Sequence, residues 1–352
     1  MLLILTLLTG LALGWALNDL LRAEGAADRQ LTATVLTNTP QPTAEAIRPS
    51  AVPATATRPT AVLSEAATAV VTSSPPPPTP VPQPPSPAIE GYAGHIVAEG
   101  ETLEQIAANG GSTPELIAAY NLLGGPPRPG RALIVPRLAG AVSALDNEPI
   151  MVQRGATDRP WVALTLDAGA GAEPTPRMLQ ALRARGVRIT FFLTGRWIAE
   201  NPDLTRQIVA DGHELANHTY GHPDLTTADD EVIRRELADA EAALAEVAPD
   251  ATLRPFFRPP FGAYDERVQR VVQAEGYLPV YWTLDSLDSV GEPKTPAFLL
   301  ERVTGRLTPE ELRGAIILAH CGSAPTAAAL PAILDRFAAM GFEVRKLSEV
   351  LG

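Results

Sequence analysis

From Trp161 onward the chain alternates short apolar runs with amphipathic stretches, and this alternation limits the fold more than any other feature of the sequence. WVALTLD (161–167), VRITFFLT (187–194), LPVYWTLD (278–285), AIILAH (315–320) and FEVRKL (342–347) read as strands, HELANH (213–218) as a strand end and FFRPPFG (256–262) as a strand and turn. Helical patterns lie between them, as at 174–185, where Met178, Leu179 and Leu182 share a face, and along 229–247. Strands that alternate with helices predict an α/β fold with a parallel sheet. About seven such units favour closure into a barrel over an open sheet.

Asp167, His218, His222, Arg258, Asp285, Asp288 and His320 all fall at or just after the C-terminal ends of those strands. In a β/α barrel that end carries the chemistry. One such residue alone is ordinary loop composition. Seven together at apolar strand ends carry a desolvation penalty that calls for a function. His218 and His222 stand four residues apart, so in a helix or a tight turn both rings can hold one metal ion. A zinc site needs three protein ligands with an open position, or four if structural. The spacing does not supply the third.

The rest of the chain places this barrel. Residues 1–22 begin with an apolar, uncharged run, MLLILTLLTGLALGWAL, at the lower edge of the roughly 17–25 residues that span a membrane. They are expected to be a membrane anchor or a signal peptide, and so to put the protein outside the cytoplasm, anchored or secreted, in association with the cell wall. Residues 23–90 are rich in Pro, Thr and Ala, and SSPPPPTPVPQPPSP reads as a stiff, disordered polyproline spacer. A formal charge of −12 gives no basic footprint for nucleic acid. A single cysteine, Cys321, excludes an intrachain disulfide. The chain is expected to be a monomer.

Residues 93–138 form a smaller unit. A strand at 95–97, a helix around 103–108, a second helix opened by Ser112, Thr113 and Pro114, and a strand at 132–135 give β-α-α-β. GETLEQIA, PELIAAYN and PGRALIVP resemble a LysM domain. The resemblance implies binding of N-acetylglucosamine-containing glycan, with Gly100, Glu101, Thr102, Asn121 and Leu122 as candidate contacts. Thr102 is equally well read as a helix N-cap.

Over residues 158–352, LTLDAGAG, HTYGH, FRPPFGAYD, WTLDSLD and IILAH occur in that order. They resemble the five motifs of the NodB-homology polysaccharide deacetylases, carbohydrate esterase family four. The resemblance implies a distorted (β/α) barrel that removes acetyl groups from N-acetylated sugars with a divalent metal, most often zinc. It makes Asp167 the base, Arg258 its partner, His218 and His222 metal ligands, and Asp288 the acid that orients His320. His320 becomes the general acid for the leaving amine. The Phe261 N–H becomes an oxyanion donor, and Leu318 lines the acetyl pocket.

The pattern breaks where the third metal ligand is expected, since Ala168 follows Asp167 in place of a second aspartate. Ser289 stands where the family usually has tryptophan. Cys321 follows His320 where an acidic residue is common, and it reads better as a small buried thiol than as a metal ligand, because neighbours on a strand point to opposite faces. Two functions remain in view. One is metal-dependent deacetylation of peptidoglycan or chitin-like polysaccharide. The other is a catalytically degenerate glycan-binding wall protein.

Overall fold

The structure, a computed structural model, describes residues 88–352. The apolar segment at 1–22 and nearly all of the spacer expected at 23–90 lie outside the described residues. The small unit comprises β1 (Ile89–Ile96), α1 (Leu103–Gly110), α2 (Pro114–Tyr120) and β2 (Ala132–Leu138). It has the expected β-α-α-β order, with β1 antiparallel to β2. Thr102 caps α1 in a capping box with Gln105, and Thr113 caps α2 ahead of Pro114.

The larger unit follows as β3 (Trp161–Ala168), α3 (Thr175–Ala184), β4 (Thr190–Leu193), α4 (Gly195–Glu200), α5 (Pro202–Ala210), β5 (Glu214–Asn217), α6 (Asp230–Val247) and β6 (Phe256–Phe257). After these come α7 (Glu266–Ala274), β7 (Leu278–Pro279), β8 (Leu284–Asp285), α8 (Pro296–Gly305), α9 (Pro309–Leu312), β9 (Ile316–His320), α10 (Ala324–Ala339), β10 (Glu343–Val344) and α11 (Leu347–Leu351). The strands pair in parallel in the order β7-β6-β5-β4-β3-β9-β8, and β10 joins the start of β3. This curled parallel sheet with its helices is the barrel expected from the alternation, in the distorted (β/α) form that the family resemblance implies.

Two expectations need correction. The stretch 278–285 is not one strand. Pro279 has no N–H for a ladder, and beyond it the Tyr281 N–H turns away to the Val152 carbonyl, so pairing resumes only at Leu284. Helix α4 was not foreseen; Thr194 opens it as an N-cap, accepting from the Trp197 N–H.

Strand alternation decides which side chains reach the barrel interior. Along β3, Val162, Leu164, Leu166 and Ala168 belong to the cluster under the helices, whereas Ala163, Thr165 and Asp167 face inward. Along β9, Ile317, Ala319 and the following Cys321 take the helix side, whereas Ile316, Leu318 and His320 face inward. The bottom of the interior, at the strands' N-terminal ends, is filled jointly with the small unit. Ala132 and Ile134 of β2 pack with Ile150, Val152, Ile316 and Leu351. The Tyr120 hydroxyl donates to the Gly276 carbonyl at 2.7 Å, and buried Arg131 donates to the Ser348 carbonyl at 3.1 Å.

Candidate active site

At the strands' C-terminal ends a cleft of about 490 Å³ opens between the β3 and β9 loops and the 259–262 turn. Asp167, His218, His222, Phe261, Asp288, Leu318 and His320 all line it, as does Ser289. Arg258 lies behind them, fully buried.

Asp167 ends the inward row of β3 and is 4% exposed. Its Oδ1 accepts from Arg258 Nη1 at 2.6 Å. Arg258 is held in turn by Thr165 Oγ1 at 2.9 Å and by the Tyr281 carbonyl at 3.2 Å, and its guanidinium lies 3.9 Å from the Phe192 ring centre. Burial pulls the Arg258 pKa down, and Asp167 opposes that pull. The second carboxylate oxygen, Oδ2, is left facing His218 Nε2 at 3.6 Å.

His218 and His222 bracket a tight turn rather than a helix, with Thr219 and His222 at φ 67° and 64°. The turn is tied down from outside. Glu236 accepts from the Tyr220 and Gly221 N–H groups at 2.9 and 2.6 Å, and Asn217 Oδ1 accepts from the Thr219 N–H at 2.8 Å. His218 Nδ1 bonds the Arg258 carbonyl at 2.8 Å, so Nδ1 carries the proton and Nε2 presents its lone pair to the cleft. Burial holds His218 down to about 4, only partly offset by Asp167, and also lowers His222. Both rings are therefore neutral at pH 7. They meet edge to face at 4.8 Å between centres.

Two neutral imidazoles and an adjacent carboxylate are the right kinds of donor for a divalent metal, but they do not complete a site. Ala168 is 0% exposed and shares the helix-side cluster with Leu193 and Trp197, so its position contributes nothing to the cleft. Among the described residues no three His, Cys, Asp or Glu side chains are arranged to hold a metal ion. Cys321 does not fill the gap. It is buried on the helix side, and burial pushes its thiol far up.

The other dyad is complete. Asp288, its side chain fully buried, places Oδ1 2.7 Å from His320 Nδ1. Its Oδ2 accepts from the His320 N–H at 3.0 Å and from the Thr326 hydroxyl at 2.6 Å. Burial disfavours the charged imidazole, but the Asp288 hydrogen bond and the nearby Asp167, Asp288 and Asp285 charges outweigh it and raise His320 above the ordinary histidine value. For Asp288 burial likewise disfavours the charge, and the His320 and Thr326 hydrogen bonds overcome it, leaving that carboxyl below the usual range. Gly322 lets the β9 loop touch the β3 loop, since a Cβ there would run into the Ala170 carbonyl.

Thr165, Thr326, Ser323 and Glu236 support the cleft but carry no sequence signal beyond the capping pattern of Ser323. In the small unit one candidate contact is removed. The Asn121 side chain is 2% exposed, and its amide is spent on Ile117 and Ile134 backbone groups, so it fastens β2 and is not offered to a ligand. Glu101 bonds His95 Nε2 at 2.7 Å, Thr102 is the α1 cap, Gly100 is open, and Leu122 is 45% exposed.

Comparison with known proteins agrees with this geometry. Residues 154–280 match the family model for polysaccharide deacetylases. A chitooligosaccharide deacetylase of Sinorhizobium fredii is 32% identical over 211 residues, covering 56% of this chain and 95% of that one. YlxY of Bacillus subtilis, an uncharacterized protein, is 30% identical over 60% of this chain, which spans 62% of YlxY's length. The crystal structure of BA3943 from Bacillus anthracis, described as a family 4 pseudoenzyme, superposes with a TM-score of 0.53 at 30% identity, over 59% of this chain and 70% of that one. A BA3943 mutant is described as having restored enzymatic activity. Motif order, barrel topology and these likenesses together place the chain in the polysaccharide deacetylase family, carbohydrate esterase family four.

Proposed function

We propose that the cleft takes an N-acetylated amino sugar of a cell-wall polysaccharide, peptidoglycan or a chitin-like glycan, and hydrolyses its acetamide to acetate and a free amine. The observation that carries this reading is the survival of two separate, fully assembled dyads in one cleft. Asp167, oriented by Arg258 on Oδ1, has Oδ2 left free in the cleft lining to take a proton from water. That water oxygen adds to the acetyl carbon, and the developing oxyanion meets the Phe261 N–H. His320, whose charged form Asp288 favours, delivers a proton to the departing nitrogen as the C–N bond breaks. Leu318 faces the acetyl methyl group.

A second reading is favoured by Ala168. With a methyl group on the helix side where a third metal donor is expected, the cleft retains sugar binding and loses turnover, as a wall-binding protein would. In either case the exposed loop of the small unit around Gly100 and Glu101 is a further glycan contact of LysM type. The N-terminal apolar segment then holds a monomeric protein at the outer surface of the membrane.

One experiment separates the readings: acetate release from peptidoglycan and chitin oligomers by the full chain, with zinc, cobalt or chelator, beside Asp167→Asn. Release that the variant loses supports the hydrolase, and its sensitivity to chelator reports the metal requirement. A folded chain that binds these glycans and releases no acetate under any condition supports the binding protein.

A further inference from the structure

The Asp288 carboxylate is braced more heavily than a simple partner for His320 requires. An aspartate carboxylate rotates broadly about its last torsion, so one hydrogen bond to an imidazole leaves its plane free. Here Oδ1 meets the His320 ring, while Oδ2 receives both the His320 N–H and the Thr326 hydroxyl. Thr326 is 3% exposed and lies in the first turn of α10, so no bulk water stands ready to replace its hydroxyl. Its single hydroxyl proton goes to Asp288. Ser323 Oγ, 2.9 Å from Thr326 Oγ1, must then donate its own proton to that oxygen while accepting from the Thr326 N–H as the helix cap. The result is a directed chain from Ser323 through Thr326 to Asp288, with His320 donating to the same carboxylate from the other side. Ser323 also lines the cleft.

We propose that Thr326, seated by Ser323, is a positioning residue that locks the plane of the Asp288 carboxylate and so keeps the His320 proton on Nδ1 and directs Nε2 into the cleft. The nitrogen of a histidine that carries the proton is set by the hydrogen bond made at the other one. Thr326 therefore acts through Asp288 and touches no reacting atom. Hydrogen bonds to a charged group are the stronger class, so losing this one loosens the carboxylate by about tenfold in the occupancy of the bonded arrangement. This inference rests on the proposed proton delivery by His320, yet it is tested without turnover.

The test uses the full chain labelled with ¹⁵N-histidine, which carries only five histidines, with His320→Gln identifying the His320 signals. The readout is water exchange of the His320 Nδ1 proton, with thermal melting as the check on folding. Thr326→Val, nearly the same shape without a hydroxyl, is expected to speed that exchange about tenfold, and Thr326→Ser to restore the parent rate. Parent-like exchange in Thr326→Val overturns the proposal. So does exchange in Thr326→Ser as fast as in the valine variant, because the methyl group would then be what matters. If Thr326→Val does not fold, Thr326→Ala removes the hydroxyl without adding a methyl group. Failure of both to fold makes Thr326 a folding determinant and also overturns the proposal. A chain that releases no acetate but shows the expected exchange pattern keeps Thr326 in this role and defeats only the hydrolase reading.

Discussion

On the Asp167 and Asp288 side of the cleft each carboxylate is held by a braced partner. Arg258 and, through it, Thr165 and the Tyr281 carbonyl hold Asp167, while His320 and Thr326 hold Asp288. On the imidazole side, His218 is fixed by one backbone carbonyl, and the position after Asp167 is a buried methyl group. The difference follows from strand geometry. Asp167 and His320 belong to inward rows that regular alternation sends into the cleft. Ala168 belongs to the helix-side row, so a donor at that position has to turn back around the strand end.

The comparison breaks most sharply if Asp167→Asn leaves acetate release unchanged. On the hydrolase reading the variant is expected to lose about a thousandfold, with the circular dichroism spectrum and melting profile of a folded barrel retained.

The two sides also differ in charge. Burial disfavours the charged form of His218, whereas Asp288 favours that of His320, and ¹⁵N shifts of the ring nitrogens followed against pH read this difference directly. The stability consequence has opposite sign on the two sides. For His218, lowered to about 4, the unfolded chain binds the proton first. Stability is therefore lost as pH falls from about 6.5 toward 4, by at most about 3 kcal/mol. For His320, raised by Asp288, the contribution is full below the ordinary histidine value and fades as pH rises through the raised one. His218→Gln is expected to flatten the acid limb of a melting-temperature profile. An unchanged acid limb would mean that His218 does not titrate with folding.

Ala168→Asp is aimed at the missing donor. Zinc affinity measured by calorimetry is expected to rise about ten- to a hundredfold, the scale associated with completing support around a metal. Without zinc the same variant is expected to melt earlier, since it adds a carboxylate beside an apolar cluster. Affinity that does not rise would show the new carboxylate staying on the helix side.

The smallest effect is expected from Thr165→Val, which takes one acceptor from buried Arg258 and costs about 1–3 kcal/mol in denaturant unfolding. No loss would mean that the Asp167 pair and the Tyr281 carbonyl hold Arg258 without help.

The side taken by Cys321 was legible in ILAHC, because strand period separates it from His320, whereas the side taken by Ala168 came only with β3 running through it. The turn at His218 was left open by spacing and needed the positive φ values of Thr219 and His222 to be decided. The pairing of Arg258 with Asp167 came only with the family resemblance, since no local pattern links positions so far apart. Thr165 and Thr326 look like any other threonine until the fold brings them to their partners. The break at Pro279 was masked by the apolar run around it. The seat of the small unit was also invisible, for its anchors, Tyr120 on Gly276 and Arg131 on Ser348, are distant in sequence and use backbone carbonyls.

That seat gives the molecule two ends with different orientations. The cleft opens where the strands finish, and the small unit closes the floor where they begin, with the length of β3, about 25 Å, between them. On the proposed reading, holding glycan and treating it are then tasks of opposite ends of the barrel.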